Sequence, residues 1–136
     1  MKKLKILIFW LLSLTWGSIM SVFGLVCALA LILTGHKPKV FHYLIYFEVG
    51  NESSGFEAGC FFFCNKQPSL HLKQHEAGHG IQNIVLGPLM PILVSIPSCI
   101  RYWYRRWLVK HGKKLWSELP DYDAFWVEHW ATSLAV

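Results

Sequence analysis

The chain alternates long apolar stretches with short polar breaks. The first stretch, residues 6–34, holds 29 residues without a charge. As one helix it would be about 43 Å long, against roughly 30 Å of bilayer hydrocarbon. It also exceeds the roughly 7–15 apolar residues of a signal-peptide core. The pattern therefore predicts one long N-terminal transmembrane helix over 6–34, retained in the protein. Ser13, Gly17, Ser21, Gly24 and Ala28 lie on one stripe of it. Small residues on a stripe let a second helix approach closely in lipid, so a helix–helix partner is expected there.

Residues 41–49 and 56–64 are rich in aromatic and β-branched side chains, with a turn cluster between them over 50–55. They read as a small β-hairpin over 41–64, too short to stand alone. Ser69 is placed to cap a helix over 69–86. A second uncharged stretch of 20 residues, 81–100, is interrupted by Gly87, Pro88, Pro91 and Pro97. It predicts a kinked or re-entrant apolar segment over 86–107. Pro120 precedes a C-terminal amphipathic helix over 121–135, with Asp121 or Asp123 near its start as the helix dipole favours. The expected fold is an α-rich membrane protein with a small β-hairpin, one domain over residues 1–136.

Composition agrees with lipid surroundings. The chain is 54% hydrophobic and 15% charged, with mean hydropathy +0.35. Soluble domains carry about 25% charged residues. The net charge is +5 and the pI near 9.1, but the basic residues cluster beside apolar runs. Lys2, Lys3 and Lys5 precede the first run, and Arg101, Arg105, Arg106, Lys110, Lys113 and Lys114 follow the second, interleaved with Tyr102, Trp103, Tyr104 and Trp107. That arrangement marks a membrane interface and anionic headgroups rather than nucleic acid, for which no motif is present. The expected location is a cell membrane, the inner membrane of a bacterium. Cys27 and Cys99 lie in apolar runs. Cys60 and Cys64 are four apart on an extended segment, roughly 13 Å, which is too far for a disulfide, so all four cysteines are read as free thiols.

The candidate chemistry is His75-Glu76-Ala77-Gly78-His79. On a helix His75 and His79 share one face, one turn apart, and can bind one Zn²⁺, with Glu76 beside them as general base. Zinc needs a third protein ligand. Asp121, Asp123, Glu128, His129, His111, His71 and the hairpin acids are available. Glu128 is favoured, because its carboxylate lies in an otherwise apolar, aromatic helix where it needs a cation.

An HExxH helix followed by a Glu helix resembles the gluzincin arrangement. Membrane gluzincins of the HtpX type carry their second motif as E-x-x-A-D, and this chain has Glu128-His129-Trp130-Ala131-Thr132. The resemblance implies His75, His79 and Glu128 as metal ligands and Glu76 as catalytic base. Thr132, standing in place of the Asp, and Asp123 are the positions expected to support the ligands, Thr132 with a weaker hydrogen bond. The whole chain also resembles a group of short bacterial membrane proteins with an F-E-V-G hairpin, H-E-[FY]-G-H-x-I-Q, L-G-P-L and I-P-S. Here these are Phe47-Glu48-Val49-Gly50, residues 75–82 with Ala77 in place of the aromatic, Leu86-Gly87-Pro88-Leu89 and Ile96-Pro97-Ser98. That group brings an architecture and no assigned reaction.

The expected function is zinc-dependent hydrolysis of a peptide or membrane-protein substrate at the membrane surface. The alternative is a non-catalytic membrane protein with a structural zinc that acts as a binding partner. Two straight spans would place His75 and Glu128 on opposite sides of the bilayer. A shared metal therefore requires a fold-back, expected near Arg105 and aided by the prolines.

Overall fold

The first apolar stretch is two helices rather than one. In the computed structural model, which describes residues 2–51 and 54–134, α1 (Lys2–Leu14) and α2 (Ser18–Leu33) meet at 94°. Among the described residues no single helix is long and apolar enough to cross a membrane. This corrects the expectation of one long transmembrane helix over 6–34. The break is made by small and hydroxyl side chains that hydropathy does not register. Asn83 Nδ2 donates to the Gly17 carbonyl (3.3 Å), Trp16 Nε1 to Val85 O (3.3 Å) and Ser21 Oγ to Ser13 O (2.7 Å). Backbone carbonyls freed by a bend need such donors. A Cβ at Gly17 would overlap the Asn83 amide, so only glycine lets that side chain in.

The expected hairpin is a four-stranded mixed sheet: β1 (Lys39–Phe41), β2 (Leu44–Glu48), β3 (Gly55–Ala58) and β4 (Phe61–Cys64), in the order β1-β2-β4-β3. Each apolar run contains its own turn, at His42–Tyr43 (His42 φ 51°) and at Gly59–Cys60 (Gly59 φ 70°). Each run therefore folds on itself, β1 with β2 and β3 with β4, both antiparallel. The two small hairpins then join through a parallel β2–β4 pair. One face of the sheet presents Phe47, Phe61 and Ala58 toward α2, where Gly24 allows backbone contact with Ala58. The other presents Leu44, Tyr46, Phe62 and Cys64 toward Ala77 of α3 (Leu70–Leu86), with Phe9 of α1 closing the cluster. The small-residue stripe of residues 13–28 thus faces the chain's own sheet and α3: Ser13, Ser21, Gly24 and Ala28 are buried.

Ser69 caps α3 as its sequence predicts, its Oγ accepting from Leu72 N–H at 3.1 Å. After Gly87 (φ 55°) the chain passes through a 3₁₀ turn, Gly87–Leu89, and a π-helical turn, Pro91–Ser95, into α4 (Ile96–Lys110). The bend between Leu70–Leu89 and Pro91–Lys110 is 117°. The fold-back therefore turns at the prolines, while α4 runs unbroken through Arg105. The C-terminal helix is shorter than expected. A 3₁₀ turn, Tyr122–Ala124, and an extended Phe125 precede α5 (Trp126–Ser133), which packs across α3. All four cysteines are free. Burial pushes the Cys64 thiol up to about 12, so it behaves as an apolar side chain.

Candidate metal centre

α3 buries one continuous row of its motif: His75, Glu76, Ala77, Gly78, His79, Gly80, Gln82 and Asn83. Such a polar row survives burial only because α5 lies directly on it. Gly78 makes this approach possible, since a Cβ there would overlap the Ala131 carbonyl. Glu128, in the first turn of α5 and fully buried, is thereby brought to both histidines. Its Oε2 stands 2.8 Å from His75 Nε2 and 3.0 Å from His79 Nε2. Donor atoms of the three residues all lie within 4.8 Å of one another, a cluster that can hold a metal ion.

The rings are oriented from behind. Gln82 Nε2 donates to Val127 O at 2.9 Å, which turns the amide oxygen toward His79 Nδ1 at 2.6 Å. An amide oxygen only accepts, so His79 carries its proton on Nδ1 and turns the lone pair of Nε2 to Glu128. Thr132 Oγ1, 2.8 Å from His75 Nδ1, holds the other ring from behind. Two ring nitrogens and a carboxylate oxygen thus converge on one buried point, where only a positive charge belongs.

Glu76 is buried beside the cluster and is not part of it. Among the described residues its Oε2 has no hydrogen-bond partner. Glu76 and Glu128 edge a cavity of about 750 Å³. Three side chains that could hold a metal ion, a buried acid next to them and open space in front would leave a bound ion an exchangeable position.

The other candidates lie elsewhere. His71 sits one turn before His75, ring centroids 6.5 Å apart, outside the cluster. His111 bonds Trp107 O, Glu48 pairs with Lys39, and Asp121 and His129 are exposed. The Asp123 side chain and Glu52 fall outside the described residues. Two contributors carry no sequence signal of their own. Gln82 is one. The other is Tyr122, whose ring lies 6.1 Å from His75. It rides on a loop held by two arginines of α4: Arg101 donates to the carbonyls of Asp121 and Tyr122, and Arg105 to that of Pro120. These arginines, expected at the lipid interface, hold the site loop. Glu57, one of the hairpin acids, is buried on the cavity wall, outside the cluster.

No protein-family model, curated protein or solved structure matches the chain.

Proposed function

We propose that this protein is a zinc-dependent peptidase seated in a membrane, with His75, His79 and Glu128 as ligands and Glu76 as general base. The observation that carries the reading is the unpartnered, buried Glu76 Oε2 beside a three-ligand cluster that opens on a cavity. Two imidazoles and one carboxylate suit zinc among the common divalent ions. Held by His75, His79 and Glu128, a zinc ion would supply Lewis acidity to a water and to a peptide carbonyl. Glu76 receives the proton of the attacking water and delivers it to the leaving amine. Gln82 keeps His79 in the ligating tautomer, and Thr132 anchors the His75 ring. Tyr122, whose hydroxyl burial and then the neighbouring Glu128 and Glu76 carboxylates keep protonated, borders the cavity as a donor.

The membrane part rests on apolar surface. Leu7, Leu11, Val22, Val26, Ile92 and Ile100 are all exposed. The two bent pairs, α1 with α2 and α3 with α4, have the length and composition to enter lipid together.

The test uses protein purified in detergent and loaded with zinc, offered a peptide library whose new termini are read by mass spectrometry. Wild type should bind about one zinc and generate new termini. Glu76→Gln should bind zinc equally and generate none. Cleavage by Glu76→Gln at the wild-type rate, or a folded wild type that takes up no zinc, overturns the reading.

A further inference from the structure

Glu57 has no task in the chemistry above, and its position is costly. It is 4% exposed, and neither carboxylate oxygen has a hydrogen-bond partner of ordinary geometry. The Gly59 N–H offsets part of the cost. A buried carboxylate without a cation costs several kcal/mol in proteins. Strand alternation explains where it points. A Cβ on Gly55 would meet Glu76, so Gly55 and Glu57, two apart on β3, share the face turned toward α3. Directly across from Glu57 on β4 is Phe62, which packs on Ala77. β3 is an outer strand of the sheet, and Gly55, Phe56 and Glu57 line the same cavity as His75, His79, Glu76 and Glu128.

Among the described residues no cation bonds Glu57. Arg105 and Arg106 line the same cavity but are engaged elsewhere: Arg105 donates to Pro120 O, and Arg106 donates to Tyr102 at 3.2 Å and lies over Trp103. No second metal cluster includes Glu57 among the described residues. A substrate that brings a positive charge beside Glu57 supplies the missing partner. An ammonium offers three donors on one compact centre and suits an isolated carboxylate, whereas a guanidinium offers five in a rigid fork.

We infer that Glu57 is a specificity residue that binds a primary ammonium group of the substrate, next to the bond held at the His75–His79–Glu128 centre. The inference rests on the peptidase reading and deepens it. The ammonium is either a free peptide N-terminus or a lysine side chain. Either way the site favours substrates with a positive charge beside the scissile bond and disfavours acidic ones.

Direct binding tests this without turnover. Zinc-loaded protein in detergent is titrated calorimetrically with three hydroxamates: leucine hydroxamate, its desamino analogue 4-methylpentanohydroxamic acid, and Nα-acetyl-lysine hydroxamate. All three can bind the metal, and they differ in whether and where they carry an ammonium. At least one ammonium compound should bind about tenfold or more tighter than the neutral analogue. The compound showing that gain identifies the source, α-amino or side chain. In Glu57→Gln the gain should vanish while affinity for the neutral hydroxamate and zinc content stay as in wild type. Equal binding of all three to wild type overturns the role of Glu57 and leaves the metal reading standing. No binding of any hydroxamate to zinc-loaded protein overturns the metal-centred reading and the inference with it. The wild-type comparison alone decides if Glu57→Gln does not fold.

Discussion

Gln82 carries two hydrogen bonds that act in sequence along one side chain. Val127 O fixes its NH₂, and the fixed amide oxygen then fixes His79. Removing such a partner from a metal-binding histidine typically lowers metal affinity 10–100-fold. Gln82→Leu and Thr132→Val should each weaken zinc binding by that order, measured by competition with a chromophoric chelator. Gln82→Leu should have the larger effect, because it also releases α5 from α3. Unchanged affinity in both would mean that the ring orientation is set by packing. The ligands themselves were legible because HExxH puts two imidazoles on one helical face and because Glu128 is a lone carboxylate in an apolar helix. Gln82 was not, since a glutamine one turn after a histidine is ordinary on any helix and its meaning comes from Val127, 45 residues away. Glu57 was a candidate ligand among the hairpin acids, but its burial on the cavity wall was not legible in a strand next to a turn. Burial raises its carboxyl well above the ordinary 4.5, helped by the charge of Glu76. The sign follows. Above about pH 4.3 the unfolded chain releases this proton while the folded, ligand-free chain keeps it until an ammonium takes its place, so stability drops as pH rises toward the folded-state value. Glu57→Gln should therefore melt higher than wild type at pH 8, by roughly 5 °C, and the gap should close at pH 4. A gap that widens toward low pH would show that Glu57 is ionised and stabilising in the fold.

At the scale of elements, the two histidines reach Glu128 because α3 and α5 touch backbone to backbone. Two neighbouring glycines of α3 separate this cause from simple helix propensity. A Cβ on Gly78 overlaps the Ala131 carbonyl, which cannot move without displacing α5. A Cβ on Gly80 meets only the tip of the Phe9 ring at 3.3 Å and Leu44 at 3.4 Å, side-chain atoms that can shift. Both replacements gain helix propensity of about 1 kcal/mol. Gly78→Ala should nonetheless lose about 3 kcal/mol or more of stability and most zinc binding, while Gly80→Ala should stay within about 1 kcal/mol of wild type. Denaturant unfolding with parallel zinc analysis checks both, and a well-folded, zinc-binding Gly78→Ala would show that α5 does not sit as close as described. Sequence pattern located α3 and its cap because period and Ser69 agree. It missed the split of residues 6–34 because no charge or proline marks it: Asn83 reaches into the bend, and Trp16 reaches out of it to Val85 O. It merged four strands into two because the turns at His42–Tyr43 and Gly59–Cys60 lie inside aromatic runs.

For the whole molecule the open quantity is what covers its apolar surface. α1 and α2 display Leu4, Leu7, Leu11, Leu14, Val22 and Val26, and the segment after α3 displays Ile92, Ile96 and Ile100. An apolar groove lined by Ile19, Phe23, Ile96 and Ile100 joins the two sets into one face. Exposed patches of this extent mark a membrane or partner surface, and the basic, aromatic stretch of α4 lies next to it, as at a lipid headgroup layer. The bends decide the manner of entry. At 94° and 117°, each apolar pair would enter lipid as a corner rather than a rod, with His79 and Glu128 at one depth. Spin labels distinguish this from a fully water-exposed molecule. In a background with Cys27, Cys60, Cys64 and Cys99 replaced, single cysteines are placed at Leu11, Val26 and Ile96 and, as the aqueous reference, at the exposed turn residue Asn51. In vesicles containing anionic lipid, labels at the first three should relax with oxygen, which concentrates in hydrocarbon. The label at Asn51 should relax with a water-soluble nickel complex. If Val26 and Ile96 respond to nickel as strongly as Asn51 does, the apolar face is not in lipid. The membrane seat would then be wrong, while the metal centre, which is built from α3 and α5 alone, would stand.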